Sequence, residues 1–148
     1  MRDIMKKIVV IGFYGESNTG KTTLIVDLIK QLTSDSYNVA TIKITDKNIG
    51  IDKEGKDTWK HAEAGANLVV FKTPIETDYI VKQTQTEKEI IAKIDQMGNY
   101  DIIIVEGSKE KEIPKIRIGN IKERENTIFT YSDDFQQLIN FIKKQMEE

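Results

Sequence analysis

The sequence predicts an α/β protein, an open and mostly parallel sheet with flanking helices, and three observations carry that expectation. Short β-branched runs alternate with amphipathic stretches along most of the 148 residues. A glycine loop sits between the first such run and the first helical pattern. The most apolar run, Asp101-Ile102-Ile103-Ile104-Val105-Glu106, has no polar alternation and reads as a central parallel strand buried on both faces. The chain is long enough for one domain and short for two, so residues 1–148 are expected to form a single nucleotide-binding domain.

The first strand is predicted over Lys7-Ile8-Val9-Val10-Ile11-Gly12-Phe13. Leu24, Ile25, Leu28, Ile29 and Leu32 then recur at helical spacing, predicting a helix over Thr23 to Leu32. Thr33-Ser34-Asp35-Ser36 is a turn cluster, and Val39 to Ile44 a second strand. Residues 45–57 are polar, contain Gly50 and Gly55, and read as a mobile loop after that strand. A short helix is expected over Thr58 to Ala66, capped by Asp57 or Thr58 and ended at Gly65. Leu68 to Lys72 and Asp78 to Gln83 follow as strands. Thr86-Glu87-Lys88-Glu89 is a capping box opening a helix with Ile90, Ile91, Ile94 and Met97 on its apolar face, stopped at Gly98. Lys115 to Ile118 and Thr127 to Tyr131 complete the strands. A closing helix is expected over Asp133 to Glu148, with Phe135, Leu138, Ile139, Ile142 and Met146 on one side.

Composition excludes several functions. The chain has no Cys, which removes a disulfide scaffold and a thiolate metal site, and its one His, His61, leaves little for a His-based centre. Net charge is −2, from 22 basic and 24 acidic residues, so no broad footprint for nucleic acid is expected. No stretch approaches the ~18 apolar residues of a membrane span, and the basic start Met1 to Lys7 is followed by too short an apolar run for a signal peptide. A cytoplasmic protein is expected.

Chemistry concentrates at Gly15-Glu16-Ser17-Asn18-Thr19-Gly20-Lys21-Thr22, followed by Thr23, a G-x-x-x-x-G-K-[ST] phosphate-binding loop. Its glycines allow the turn, its backbone N–H groups face phosphate oxygens, Lys21 adds a mobile positive charge, and the Thr22 hydroxyl can ligate Mg2+. At average residue usage the four fixed positions coincide by chance in roughly 1 chain in 200 of this length. Strand, loop and helix in that order also put the positive end of the helix dipole at the phosphate. Glu106 ends the buried run, so it is expected at the carboxyl edge of the sheet as the Mg2+-side acid, with Gly107 leaving space for phosphate. Asp46, Asp52 and Asp57 lie on the long loop, where a carboxylate can orient attacking water; Asp52 and Asp57 are the candidate catalytic acids. Trp59 could stack on a ring, but core or interface packing is the more frequent use of such a residue. No guanine-reading Asn-Lys-x-Asp motif occurs, so spacing alone does not give the base.

Beyond the loop, Val39-Ala40-Thr41-Ile42-Lys43, the Asp52-Lys53-Glu54-Gly55-Lys56-Asp57-Thr58 block with Ala64-Gly65-Ala66, Val105-Glu106-Gly107 and Pro114-Lys115 occur in order. Together they resemble the MobB family, the molybdopterin-guanine dinucleotide biosynthesis adaptor proteins, from about residue 7 to 131. The resemblance implies a homodimeric accessory protein that binds GTP with Mg2+, hydrolyses it weakly, and assists a MobA-like guanylyltransferase acting on molybdopterin, with the pterin as a further partner. It places the phosphate loop on Gly15 to Thr23, the Mg2+-side acid on Glu106 and the loop acid on Asp52 or Asp57. Many relatives carry His directly after the lysine ending the second strand; this chain has Ile44-Thr45-Asp46-Lys47 there, so no imidazole role is implied. A small-molecule kinase is the alternative, with Arg117 and Arg124 as candidate lid cations.

Overall fold

The computed structural model describes residues 7–16 and 20–147. The chain divides into two compact units, one ending at Thr45 and resuming at Ile90, the other spanning Asp46–Glu89.

The first unit is a five-stranded parallel sheet. β1 (Val9–Gly15), β2 (Val39–Lys43), β5 (Ile102–Glu106), β6 (Lys115–Ile118) and β7 (Thr127–Tyr131) stand in the order β2-β5-β1-β6-β7. Period-two alternation splits the central strands between two cores. On one face Ile102, Ile104, Ile11, Phe13, Ile116 and Ile118 meet α1 (Lys21–Ser34) and α4 (Phe135–Glu147) through Leu24, Leu28, Leu32, Leu138, Ile142 and Met146. On the other face Ile103, Val105 and Ile42 meet Ile90, Ile91 and Ile94 of α3 (Glu87–Met97). Each fully buried aliphatic side chain of this kind is worth roughly 1.5–3 kcal/mol of transfer energy. Burial on both faces is why β5 needs an unbroken apolar run.

The ends of the elements depart from expectation in instructive ways. β1 runs on to Gly15, because Tyr14 and Gly15 pair with Arg117 and Ile118 of β6. α1 starts at Lys21, directly after Gly20. The capping box forms as expected: Thr86 Oγ1 accepts the Glu89 N–H at 3.1 Å, and Glu89 Oε1 accepts the Thr86 N–H at 3.2 Å. Met97 does not join the apolar face of α3 and stays 65% exposed at its last turn.

The second unit holds α2 (Asp57–Glu63) and a hairpin of β3 (Leu68–Lys72) and β4 (Thr77–Val81). These two strands do not extend the parallel sheet; they form a separate antiparallel pair, joined by a short Thr73–Glu76 turn that a parallel crossover could not use. α2 begins one residue earlier than expected, with Lys56 at the cap position and Asp57 inside the first turn, where its charge favours the helix dipole. Gly65 follows the helix with φ +117, as its expected stop.

Candidate functional site

The site is built at the carboxyl edge of the parallel sheet, where β1, β5 and β2 end side by side. Gly15 closes β1 in extended backbone rather than in the turn. A Cβ there would lie 3.0 Å from the Ile118 carbonyl oxygen, so close approach of β6 explains this glycine. Gly20 has the turning role, with φ +81 and open space around it. It caps α1 without a side-chain hydrogen bond, and the first turn of that helix carries no acidic residue. The helix N-terminus thus keeps N–H groups and a positive dipole end for an anion. Ser17, Asn18 and Thr19 lie outside the described residues.

Lys21 enters from the first turn of α1, with Nζ 3.5 Å from the Gly15 carbonyl oxygen and 3.9 Å from Glu106 Oε1. Glu106, 14% exposed, also accepts a hydrogen bond from Lys43 Nζ at 2.8 Å. Glu16, Gly20, Lys21, Thr22, Thr23, Lys43 and Glu106 line one cleft of about 360 Å3, within the roughly 300–1,000 Å3 range of small-molecule sites. The structure therefore brings together the described part of the phosphate loop, Thr22 and Glu106.

Lys43 is the site residue that sequence reasoning passed over. It closes β2 in register with Glu106 of β5, so its side chain emerges beside that carboxylate. The signal was present as a lysine ending a strand that neighbours β5, and strand order was the missing fact. Gly107 differs too. Its φ is +97 and a Cβ would lie 2.6 Å from the Ile44 carbonyl oxygen, so backbone conformation explains this glycine. Asp52 and Asp57 belong to the second unit. Asp52 lines a cavity there, and Asp57 is exposed in the first turn of α2.

Both candidate lid arginines have structural partners. Arg117 donates to Thr130 Oγ1 at 3.2 Å and to the Ile121 carbonyl at 3.2 Å. Arg124 lies 4.7 Å over the Tyr14 ring and donates to the Ser108 carbonyl at 3.1 Å. Its backbone N–H also donates to the Tyr14 hydroxyl at 2.9 Å. Arg117 ties the loop after β6 to β6 itself, and Arg124 ties it to β1 and to the segment after β5.

The family model described as molybdopterin guanine dinucleotide synthesis protein B matches residues 10–144. The chain belongs to the MobB family. Over 122 residues it is 33% identical to the molybdopterin-guanine dinucleotide biosynthesis adapter protein of Haemophilus influenzae, covering 74% of this chain and 62% of that protein. It is 37% identical over 111 residues to the putative adapter protein of Methanocaldococcus jannaschii, covering 72% and 45%. The chain thus spans about half to under two thirds of the length of these curated relatives. Among solved structures, Bacillus subtilis MobB superposes with a TM-score of 0.71 at 18% identity, over 93% of this chain and 98% of that one. The Bacillus stearothermophilus homologue gives 0.63 at 14%, over 93% and 97%. At such identities these two neighbours establish the fold alone.

Proposed function

We propose that this MobB-family chain is a cytoplasmic adaptor of molybdopterin guanine dinucleotide synthesis that binds GTP with Mg2+, hydrolyses it slowly, and assists a MobA-like guanylyltransferase. The observation that carries the reading is the grouping of Lys21, Thr22, Lys43 and Glu106 around one cleft at the N-terminus of α1, in a chain matched by the family over residues 10–144. The donor set suits Mg2+. One hydroxyl and one carboxylate are hard oxygen donors, and Mg2+ commonly takes one or two protein oxygens while keeping water and phosphate oxygens for the rest. Among the described residues no group of three or more His, Cys, Asp or Glu side chains could cage a metal alone. Thr22 and Glu106 would hold the ion, whose positive charge would offset the repulsion between the carboxylate and the phosphates. Lys21 and Lys43 would neutralise phosphate charge. Among the described residues no arginine or glutamine lines the cleft, in keeping with slow turnover.

The proposed assembly is a homodimer. On the hairpin of the second unit, Leu68, Val70, Tyr79 and Val81 share one face and are 54%, 47%, 61% and 40% exposed. A two-stranded hairpin is marginal in water without cover, and a second copy offers the same apolar face in return. No described helix is long and apolar enough to cross a membrane.

A coupled assay tests the function. Transfer of GMP to molybdopterin by a purified guanylyltransferase is expected to rise when this chain is added, and Lys21→Ala is expected to remove the gain. An unchanged transfer rate with wild-type chain would contradict the adaptor role.

A further inference from the structure

The second unit contains a cavity of about 220 Å3 lined by Gly50, Asp52, Thr58, Trp59, Ala62, Glu63, Val69, Ile80 and Lys82. Its construction follows from two periodicities. Val69 and Ile80 are direct cross-strand partners on the helix-facing side of the hairpin, and Val69 is 5% exposed. Trp59, Ala62 and Glu63 occupy one face of α2 by their spacing of three and four residues. Val69, Ile80 and Ala62 thus supply the aliphatic part of a mostly polar lining that includes one indole. The polar groups belong to Asp52, Thr58 and Glu63 and to Lys82, whose Nζ lies 3.8 Å from where a Cβ on Gly50 would stand. The Lys82 ammonium therefore lies beside Gly50 at ordinary contact distance. Among the described residues the Lys82 ammonium has no hydrogen bond or ion pair, and the only bond to the Asp52 carboxylate is from the Lys53 N–H to Oδ1 at 3.0 Å.

We infer that this cavity is a binding site for a flat fused ring carrying a 2-amino-4-oxo pyrimidine edge. The volume is room for about seven waters at ~30 Å3 each, suited to a bicyclic ring and below the roughly 300–1,000 Å3 of drug-sized sites. That edge presents two adjacent N–H donors and one carbonyl acceptor. A carboxylate can take both donors, because each of its oxygens has two lone pairs, and Asp52 has spent one. The Lys82 ammonium supplies a donor for the carbonyl, and the Trp59 indole a face for the ring. Adenine and a 2,4-dioxo ring lack the paired donors and would leave the carboxylate unmatched, which discriminates more strongly than shape. Pterins and guanine share this edge, and both belong to the chemistry of the proposed function. The inference deepens that function and rests on it for the choice of these two rings as sources.

The test is calorimetric titration of the full chain with neopterin, guanosine, adenosine and lumazine, read in parallel by the fluorescence of Trp59, the chain's sole tryptophan. Saturable binding of neopterin, guanosine or both below about 1 mM is expected, with no binding of adenosine or lumazine. Neopterin alone would assign the site to a pterin, guanosine alone to the guanine base. Asp52→Asn and Lys82→Met are each expected to weaken binding by about 10- to 100-fold. Failure of both rings to bind, equal binding of lumazine, or binding untouched by both substitutions would overturn the inference. GTP–Mg2+ stabilisation of the same wild-type sample is measured alongside. Its presence without ring binding would remove this site and leave the phosphate-loop reading intact, and ring binding without it would support this site alone.

Discussion

Lys43 Nζ stands 2.8 Å from Glu106 Oε1, an ion pair fixed by the register of two parallel strands at the cleft beside the N-terminus of α1. Lys21 approaches the same oxygen at 3.9 Å, so one mostly buried carboxylate separates two cations. Removing that carboxylate should leave the cations free for phosphate while removing the proposed anionic anchor for Mg2+. Glu106→Gln is therefore expected to hold nucleotide affinity without Mg2+ at or above wild type. The gain that Mg2+ brings is expected to fall by roughly 10- to 100-fold. Nucleotide titrations with Mg2+ and with chelator check both halves.

Gly107 combines φ +97 with the Ile44 carbonyl oxygen 2.6 Å from a prospective Cβ. Both conformational strain and a backbone clash then oppose any side chain. Gly107→Ala is expected to cost at least about 2 kcal/mol in denaturant unfolding. A loss below about 0.5 kcal/mol would show that the loop relaxes freely.

Lys115 is 1% exposed, and its ammonium donates to the carbonyls of Glu110, Ile113 and Glu125. It ties the segments on either side of β6 together. Lys115→Met keeps the buried stem but orphans those carbonyls, with an expected cost of about 3 kcal/mol. Urea midpoints of the two proteins measure it.

Asp35, at the C-cap of α1, meets Lys143 of α4 at 2.6 Å. The hydrogen bond from Lys143, followed by that from Gln31, holds its carboxyl below the ordinary 3.8. A lowered folded-state value means stability that is present above the unfolded value and lost as pH falls through the folded one. The same pair raises Lys143 above 10.5, so that side of the linkage fades only in strong alkali. Asp35→Asn is expected to melt below wild type near about pH 7, with the gap closing near about pH 2. A gap that persists in acid would assign the effect to something other than charge.

Much of the fold was legible because pattern and environment coincide. The unbroken run of Ile102 to Val105 can only be satisfied between two helical layers, and both layers are present. The hairpin was less legible: Leu68 to Lys72 reads as a strand, but nothing local to it specifies whether its partner is parallel or antiparallel. The phosphate-loop motif was legible as a pattern of residue types, whereas Lys43 joined the cleft only through its register with Glu106. Tyr14 and Arg124 are 110 residues apart in the chain, and no spacing rule relates them. The second-unit cavity likewise needs the pairing of Val69 with Ile80 before Trp59 and Asp52 acquire a common purpose.

The central claim is that this cleft is a guanine-nucleotide site organised by Mg2+, and differential scanning calorimetry with nucleotide tests it most directly. GTP–Mg2+ at 100 times its dissociation constant is expected to stabilise wild type by about 2.7 kcal/mol, more than ATP–Mg2+ at the same concentration. Lys21→Ala is expected to lose the shift while its nucleotide-free stability stays within about 1 kcal/mol of wild type. An ATP–Mg2+ shift equal to or larger than that of GTP–Mg2+, or a full GTP–Mg2+ shift in Lys21→Ala, would contradict the account.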